Sequence, residues 1–195
     1  MIVYKYNSYE EYVAEQTRAN HKKLHYSWVS KTTMKAITNR VDNIENILCH
    51  GSRRGTELEY FLECCPTANI IGTDISDTAT KFSNTVQHDF HEVNEDWIGT
   101  FDIVYSNSFD HSYDPIKALD TWIAQLNDTG VLCVELMDGY DNESTKMDPL
   151  EIAHDEYIEL INERGHEVFY DFDIKAPQGI SRCYMSRKKI KDIKA

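Results

Sequence analysis

The sequence has few residues that break regular structure: its 195 residues include only 8 glycines and 4 prolines. It shows no internal repeat, and no apolar run approaches the roughly 18 residues that a membrane helix needs. The N-terminal stretch MIVYKYNSYEEY lacks the basic and apolar regions of a secretory signal. These absences argue against long linkers, repeat architectures, membrane spans and secretion. We expect one soluble, cytoplasmic domain over residues 1–195.

Positive charge and cysteine are also scarce. Twenty basic residues face 33 acidic ones, which gives a net charge of −13 and would repel a polyanion. Nucleic acid is therefore not an expected partner. The cysteines are odd in number and lie mostly within apolar runs, so we predict reduced thiols rather than disulfides at Cys49, Cys64, Cys65, Cys133 and Cys183.

The stretch 45–76 has the pattern of a strand, a glycine turn, a helix and a second strand. The apolar run Ile47-Leu48 ends at His50-Gly51, a helical pattern follows up to Pro66, and the second run leads to Asp74. Glycine allows close approach of a ligand to the backbone, and a helix start offers free N–H groups. An acidic residue 23 positions after Gly51, close to the expected spacing of about 20, can bind ribose hydroxyls. The pattern predicts a nucleoside site, and the alternative is a structural α/β unit with a chance aspartate.

The stretch 101–136 predicts a second such unit. Phe101 to Tyr105 is a buried strand, Asp114 and Pro115 can begin a helix, and Gly130 leads into a further strand. We place Ile116, Leu119, Ile123 and Leu126 on the inner face of that helix. Between strand and helix lies the polar loop 106–114, where open α/β sheets bind ligands.

These two stretches resemble the class I S-adenosylmethionine-dependent methyltransferases of small-molecule type. The family's acidic-x-Gly-x-Gly-x-Gly loop is altered here, with Cys49 in the acidic position and Arg53 in place of the central glycine between Gly51 and Gly55. In the segment 101–136 the resemblance extends to the pair Asp110-His111. It covers roughly residues 44–185 and implies S-adenosylmethionine as the cofactor and a small-molecule acceptor as the partner.

The resemblance also implies roles for individual residues. Asp89 and Phe90 would line the adenine, and Asn107 would lie near the methionine portion of the cofactor. We assign the cofactor site to His50, Gly51, Ser52, Arg53, Asp74, Ile75, Asp89, Phe90 and Asn107. His111 is the candidate general base or acceptor-positioning group, with Asp110 or Asp114 to orient it. No metal site is expected at His88, Asp89, His91 and Glu92, because neighbours along a strand point to opposite faces.

The chain ends are expected to complete the fold. Ser8 and Glu11 predict a capped helix whose face is too polar for a core, and a second helix follows from Ser30, with Trp28 packed between the two. This N-terminal pair is either a substrate lid or a plain helical hairpin. Asp148 should begin a late helix. A hairpin turning at residues 177–179 then closes the sheet.

We therefore predict a three-layer, Rossmann-like α/β fold, with a mostly parallel seven-stranded sheet and an antiparallel C-terminal hairpin. A helical cap (1–41), the core (42–186) and a basic tail (187–195) divide the chain. The predicted function is methyl transfer from S-adenosylmethionine to an oxygen or nitrogen of a small polar acceptor. The alternatives are a non-catalytic cofactor-binding domain and an enzyme that uses a nicotinamide dinucleotide.

Overall fold

The computed structural model describes residues 1–137, 144–176 and 179–190. The helices in these residues are α1 (Tyr9–Lys23), α2 (Lys31–Thr38), α3 (Thr56–Cys64), α4 (Pro115–Gln125) and α5 (His154–Glu163). The strands are β1 (Ile2–Val3), β2 (Asn46–His50), β3 (Asn69–Asp74), β4 (Thr85–Gln87), β5 (Phe101–Ser106), β6 (Leu126–Met137), β7 (Leu150–Glu151), β8 (His166–Ala176) and β9 (Gly179–Lys188). Short 3₁₀ helices lie at Asp77–Lys81, Glu95–Trp97 and Phe109–His111.

Seven of the strands form one sheet in the order β4-β3-β2-β5-β6-β9-β8. Neighbouring strands in the part of this order from β4 to β6 are parallel, whereas β9 is antiparallel to both β6 and β8. This arrangement confirms the predicted sheet and its C-terminal hairpin. Of the predicted hairpin turn, Pro177 and Gln178 lie outside the described residues. β1 and β7 pair as a separate two-stranded sheet, which the sequence did not indicate.

Helices cover both faces of the large sheet and complete three layers. One apolar cluster joins Met34 and Ile37 of α2 and Phe61 of α3 to the sheet. The other joins Trp122 of α4 and Ile161 of α5 to the opposite face. Successive strand residues alternate between the two clusters, because side chains along a strand point to opposite faces. All five cysteines are free thiols, as predicted.

Two helix predictions need correction. α4 begins at Pro115 with Asp114 as its cap, as predicted, but Ile116 is 39% exposed and Trp122 is fully buried in its place. Leu126 belongs to β6 rather than to α4. α5 begins at His154 and not near Asp148, since Leu150 is drawn into the pairing with β1.

The predicted boundaries at the chain ends also shift. α1 lies over the cleft at the carboxyl ends of the strands, whereas α2 is part of the core on one face, so the two helices do not form one cap. At the other end, Arg187 and Lys188 belong to β9 and not to a frayed tail. Residues 191–195 lie outside the described part of the chain. In that part, no helix is both long and apolar enough to cross a membrane.

Candidate functional site

The loop between β2 and α3 has the backbone conformation of a glycine-rich turn. Gly51, Arg53 and Gly55 have φ values of 70°, 50° and 75°, all in the left-handed region. A Cβ on Gly51 would lie 2.5 Å from the Cβ of Ser108, so only glycine fits there. Arg53 adopts the conformation of the glycine that it replaces, which costs roughly 1 kcal/mol for a residue with a side chain. The altered motif therefore keeps the shape of the loop.

Asp74 ends β3 beside this loop and is 8% exposed. Its two carboxylate oxygens each accept one backbone hydrogen bond of 2.9 Å, from the N–H groups of Arg53 and Ser76. Burial raises the pKa of Asp74, and these two hydrogen bonds oppose that rise. Each oxygen keeps a further lone pair for a ligand hydroxyl. This geometry fits the predicted contact with a ribose.

A small cavity of about 50 Å³ adjoins Asp74. It is lined by Ile75 and by Asp89 and Phe90, the two residues that the resemblance places at the adenine. α1 covers this cavity with the side chains of Gln16 and Asn20, both of which are buried. The polar face of α1 thus covers a cavity, which explains why that face is not apolar.

Asp89 is held firmly at the edge of this cavity. It accepts hydrogen bonds from the Tyr9 hydroxyl at 2.8 Å and from the backbone N–H of His91 at 3.0 Å, and it lies 2.6 Å from His91 Nδ1. Burial alone would raise the pKa of Asp89, but the bonds from His91 and Tyr9 hold that pKa below its usual value. Asp89 therefore offers a fixed carboxylate to the cavity.

A large cavity of about 290 Å³ lies on the other side of the glycine loop. Both cavities are lined by Lys23, Gly51, Arg53, Ser108 and His111. Asn107, at the end of β5, lines the large cavity only. Ser52 also lines it, although the Ser52 hydroxyl donates to the Thr73 carbonyl at 3.2 Å. One elongated ligand can therefore pass from Asp74 across the glycine loop into the large cavity.

Arg53 places a positive charge where the two cavities meet. Its guanidinium lies 4.3 Å from the Trp28 ring centroid and donates to the Tyr26 carbonyl at 3.1 Å. Burial lowers the pKa of Arg53, and among the described residues no carboxylate forms an ion pair with it. Trp28 therefore lies on Arg53 at the cavity wall rather than between the two N-terminal helices. The unpaired guanidinium is suited to a ligand carboxylate.

His111 lies at the same junction. Its Nδ1 donates to the Met147 carbonyl at 2.9 Å, so Nε2 is the nitrogen that can accept a proton. Nε2 lies 3.8 Å from Asp148 Oδ1. Asp114, predicted either to orient His111 or to cap the next helix, caps α4. The sequence did not reveal Asp148 as a partner, because it lies 37 residues away on another loop.

His50 was predicted as a cofactor ligand, and the structure corrects this. Its side chain is fully buried beneath the site and lines neither cavity. One ring nitrogen lies 2.9 Å from Thr73 Oγ1 and the other 2.8 Å from Gln125 Oε1, while the ring stacks on Trp122. Burial lowers the pKa of His50 to about 3, so it is a neutral core residue.

One group of side chains could hold a metal ion. Ligand atoms of Asp110, His111 and Asp148 lie within 4.8 Å of one another at the edge of the large cavity. The set 88–92 is arranged differently, since His91 pairs with Asp89 and the His88 ring bonds to the Glu92 carbonyl. Asp110 is exposed, and exposed acidic groups often lie close together without binding a metal ion.

The strand order, the glycine loop and the acidic end of β3 define the Rossmann-like fold of the class I S-adenosylmethionine-dependent methyltransferases. One solved structure with this fold is the Burkholderia thailandensis 1,6-didemethyltoxoflavin N1-methyltransferase with bound 1,6-didemethyltoxoflavin and S-adenosylhomocysteine. It is 16% identical, with a TM-score of 0.73 over 96% of this chain and 93% of that one. Another is the magnesium protoporphyrin IX methyltransferase of Synechocystis PCC 6803 with bound S-adenosylmethionine. It is 9% identical, with a TM-score of 0.67 over 95% and 100% of the two chains.

The same fold is also found in a protein of different chemistry. The [4+2]-cyclase SpnF is 11% identical, with a TM-score of 0.65 over 91% of this chain and 94% of that one. No protein-family model and no curated protein matches the sequence. The similarity thus establishes the fold, and the activity must be argued from the site.

Proposed function

We propose that the protein binds S-adenosylmethionine and transfers its methyl group to an oxygen or nitrogen of a small polar acceptor. The observation that carries the proposal is the meeting of two cavities at Gly51, Arg53 and His111. A ribose at Asp74 would adjoin the small cavity, and the other end of the cofactor would lie at the mouth of the large one. The net charge of −13 favours a small acceptor over a nucleic acid.

The residues around the junction suit each part of such a cofactor. Asp74 can accept hydrogen bonds from two ribose hydroxyls, and Ile75 and Phe90 offer apolar surface to a base. Arg53 can bind the carboxylate of the amino-acid end, close to Asn107. When bound, the cofactor supplies a methyl group on an activated sulfonium.

The protein then has to align the acceptor and, where needed, remove a proton. His111 borders both cavities, and because its Nδ1 donates to the Met147 carbonyl, Nε2 is the nitrogen that could accept a proton from the acceptor. Asp148 beside it would stabilise the ring after it takes up a proton. His111 is therefore the group that we propose as general base or acceptor-positioning residue.

The test is calorimetric binding of S-adenosylhomocysteine. Asp74→Ala should weaken it by about 1.5 to 3 kcal/mol, the range for hydrogen bonds to a charged group. Asp77→Ala, in the exposed turn after β3, should leave the affinity unchanged and serves as the control. No measurable binding to the wild type, or equal affinity in both variants, would refute the cofactor assignment. Mass spectrometry of a copurified nucleoside separates this proposal from one based on a nicotinamide dinucleotide.

A second candidate is a protein that binds the cofactor without methyl transfer. The [4+2]-cyclase with the same fold favours keeping this alternative. This alternative predicts that S-adenosylhomocysteine binds normally. It also predicts that no S-adenosylhomocysteine forms from S-adenosylmethionine when a broad set of hydroxyl and amino compounds is offered.

A further inference from the structure

One wall of the large cavity carries buried polar groups that the proposed cofactor does not use. Thr56 and Glu57 begin α3, Glu135 lies on β6, and Ser181 lies on β9. Glu57 stands one helical turn before the core residue Phe61, and Glu135 lies two residues after the core residue Cys133. Both acids therefore lie on the side of the sheet that α2 and α3 cover. We refer to these four residues as the acidic wall.

The side chains of the acidic wall are almost fully enclosed yet incompletely paired. Thr56, Glu57, Glu135 and Ser181 are 6%, 3%, 8% and 3% exposed. The hydroxyl oxygens of Thr56 and Ser181 have no hydrogen-bond partner within the described part of the chain. Buried polar groups normally have partners, and each such gap costs on the order of 1–3 kcal/mol. These two hydroxyls keep their hydrogen-bonding capacity for a ligand of the large cavity.

The two carboxyl groups of the wall form no ion pair within the described residues, although the charge of Arg53 acts on Glu57 and lowers its pKa against the larger effect of burial. Glu135 accepts one hydrogen bond of 2.6 Å from Tyr105. Burial raises the pKa of Glu57 to about 8 and that of Glu135 to about 7. Charging both acids beside each other is unfavourable until a cation enters the cavity.

We propose that the acidic wall binds the cationic nitrogen of an amine-bearing acceptor, with Glu57 and Glu135 as its counter-ions. The inference rests on the proposed function, since it names the class of acceptor that the large cavity takes. An ammonium group offers up to three N–H donors, which the two carboxyls and the hydroxyls of Thr56 and Ser181 can accept. A carboxylate or phosphate brings no positive charge that would favour ionisation of the two acids. A neutral alcohol would likewise leave them protonated.

Matched ligands test the proposal directly. Protein saturated with S-adenosylhomocysteine is titrated in a thermal-shift assay with propylamine, 1,4-diaminobutane and 2-phenylethylamine. Each is compared with the alcohol and the carboxylate of the same carbon skeleton. We expect at least one amine to raise the melting temperature while its matched alcohol and carboxylate do not. Equal effects of the matched alcohols or carboxylates, or no effect of any amine, would overturn the proposal.

Variants then locate the binding to the wall. The double variant Glu57→Gln with Glu135→Gln should weaken the binding of the selected amine at least tenfold. Glutamine has the shape of a protonated glutamate and can still accept from Tyr105, so the fold should persist. Glu59→Gln, on the exposed side of α3, is the matched control and should bind as the wild type does. Unchanged amine affinity in the double variant contradicts the proposal.

A last comparison separates this inference from the cofactor proposal. Wild-type protein that binds amines but no S-adenosylhomocysteine would refute the proposed function and leave the acidic wall standing. If Glu57→Gln weakens S-adenosylhomocysteine but not its deaminated analogue, Glu57 binds the cofactor's own ammonium group. That result would overturn the acceptor assignment. We expect Glu57→Gln to bind S-adenosylhomocysteine and its deaminated analogue with affinities within a factor of about three of the wild-type values.

Discussion

Arg53 combines three features that seldom occur in one residue: a left-handed backbone, a half-buried guanidinium and no ion-pair partner among the described residues. Partial burial lowers the pKa of the guanidinium, and a bound carboxylate would stabilise its charge. The stacking on Trp28 holds the guanidinium at the junction of the two cavities. We regard Arg53 as the anchor for the amino-acid end of the cofactor.

Arg53→Ala should therefore weaken S-adenosylhomocysteine binding by about 10- to 150-fold, the equivalent of 1.5–3 kcal/mol. The analogue that lacks the carboxylate should lose far less, because its contact with the guanidinium is already absent. Calorimetry with both compounds measures the difference. Arg18→Ala, on the exposed face of α1, is the control. Equal losses for the two compounds would show that Arg53 supports the loop and does not bind the carboxylate.

His111 is the second residue whose role can be measured. Once an acceptor is known, His111→Ala and His111→Gln should lower turnover roughly 10²-fold or more, because Nε2 can no longer take up a proton. Affinity for S-adenosylhomocysteine should stay within a factor of about three. His25→Gln, at an exposed position after α1, controls for the loss of an imidazole. Full turnover in either His111 variant would remove it from the mechanism, and lost cofactor binding in both would assign it to the shape of the pocket.

At the scale of elements, several contacts join the segment 144–151 to α1 and to the residues that precede α1. β1 pairs with β7, Tyr6 donates to the Lys146 carbonyl at 2.5 Å, and Gln16 donates to the Met147 carbonyl at 3.0 Å. Lys146 also forms an ion pair with Glu11. The two segments together cover both cavities, so opening one of them requires breaking contacts with the other. This linkage supports the interpretation of α1 as a lid.

A lid over the cofactor should become more rigid when the cofactor is present. We expect S-adenosylhomocysteine to slow backbone hydrogen exchange in α1 and in residues 144–151, because bound ligand would hold Gln16 and Asn20 in place. Hydrogen-exchange mass spectrometry measures this peptide by peptide. α5, which lines neither cavity, is the internal control. Equal exchange in α1 with and without ligand would identify α1 as a structural helix only.

At the scale of the whole molecule, buried acids should make stability depend on pH. Glu57 and Glu135 have folded-state pKa values of about 8 and 7, above the ordinary 4.5. Their contribution to stability is complete below pH 4.5 and is lost as the pH rises toward those values. His50, with a folded-state pKa of about 3, acts in the opposite direction, and its contribution is lost as the pH falls below 6.5. Of these three groups, only Glu57 and Glu135 change the stability above pH 6.5.

We therefore expect the ligand-free protein to lose stability between pH 6.5 and 8, at up to about 1.4 kcal/mol per pH unit for each acid. Urea unfolding at the two pH values gives the change in the free energy of unfolding. Glu57→Gln should remove about 2 kcal/mol of that loss, whereas Glu59→Gln should not alter it. A wild-type free energy of unfolding that is the same at both pH values would contradict the assignment of two buried, unpaired acids.

The backbone around the candidate site was predictable because its signals are local. Gly51, Gly55 and Asp74 follow from turn geometry and strand spacing, and the Asp114 cap follows from its place before Pro115. His50 misled the prediction, because a histidine at a strand end can equally face the core. The acidic wall was missed, although Glu57 stands at an apolar helical position and Glu135 lies within an otherwise buried strand.

The sequence by itself determined the two strand–helix–strand units and the closing hairpin, since period, caps and glycine turns act over a few residues. Only the tertiary structure decided which side chains share a cavity. Asp148 meets His111, Trp28 covers Arg53, and α1 lies over Asp74 through contacts between distant parts of the chain. Packing and the burial of charge select those contacts, and neither depends on spacing along the sequence.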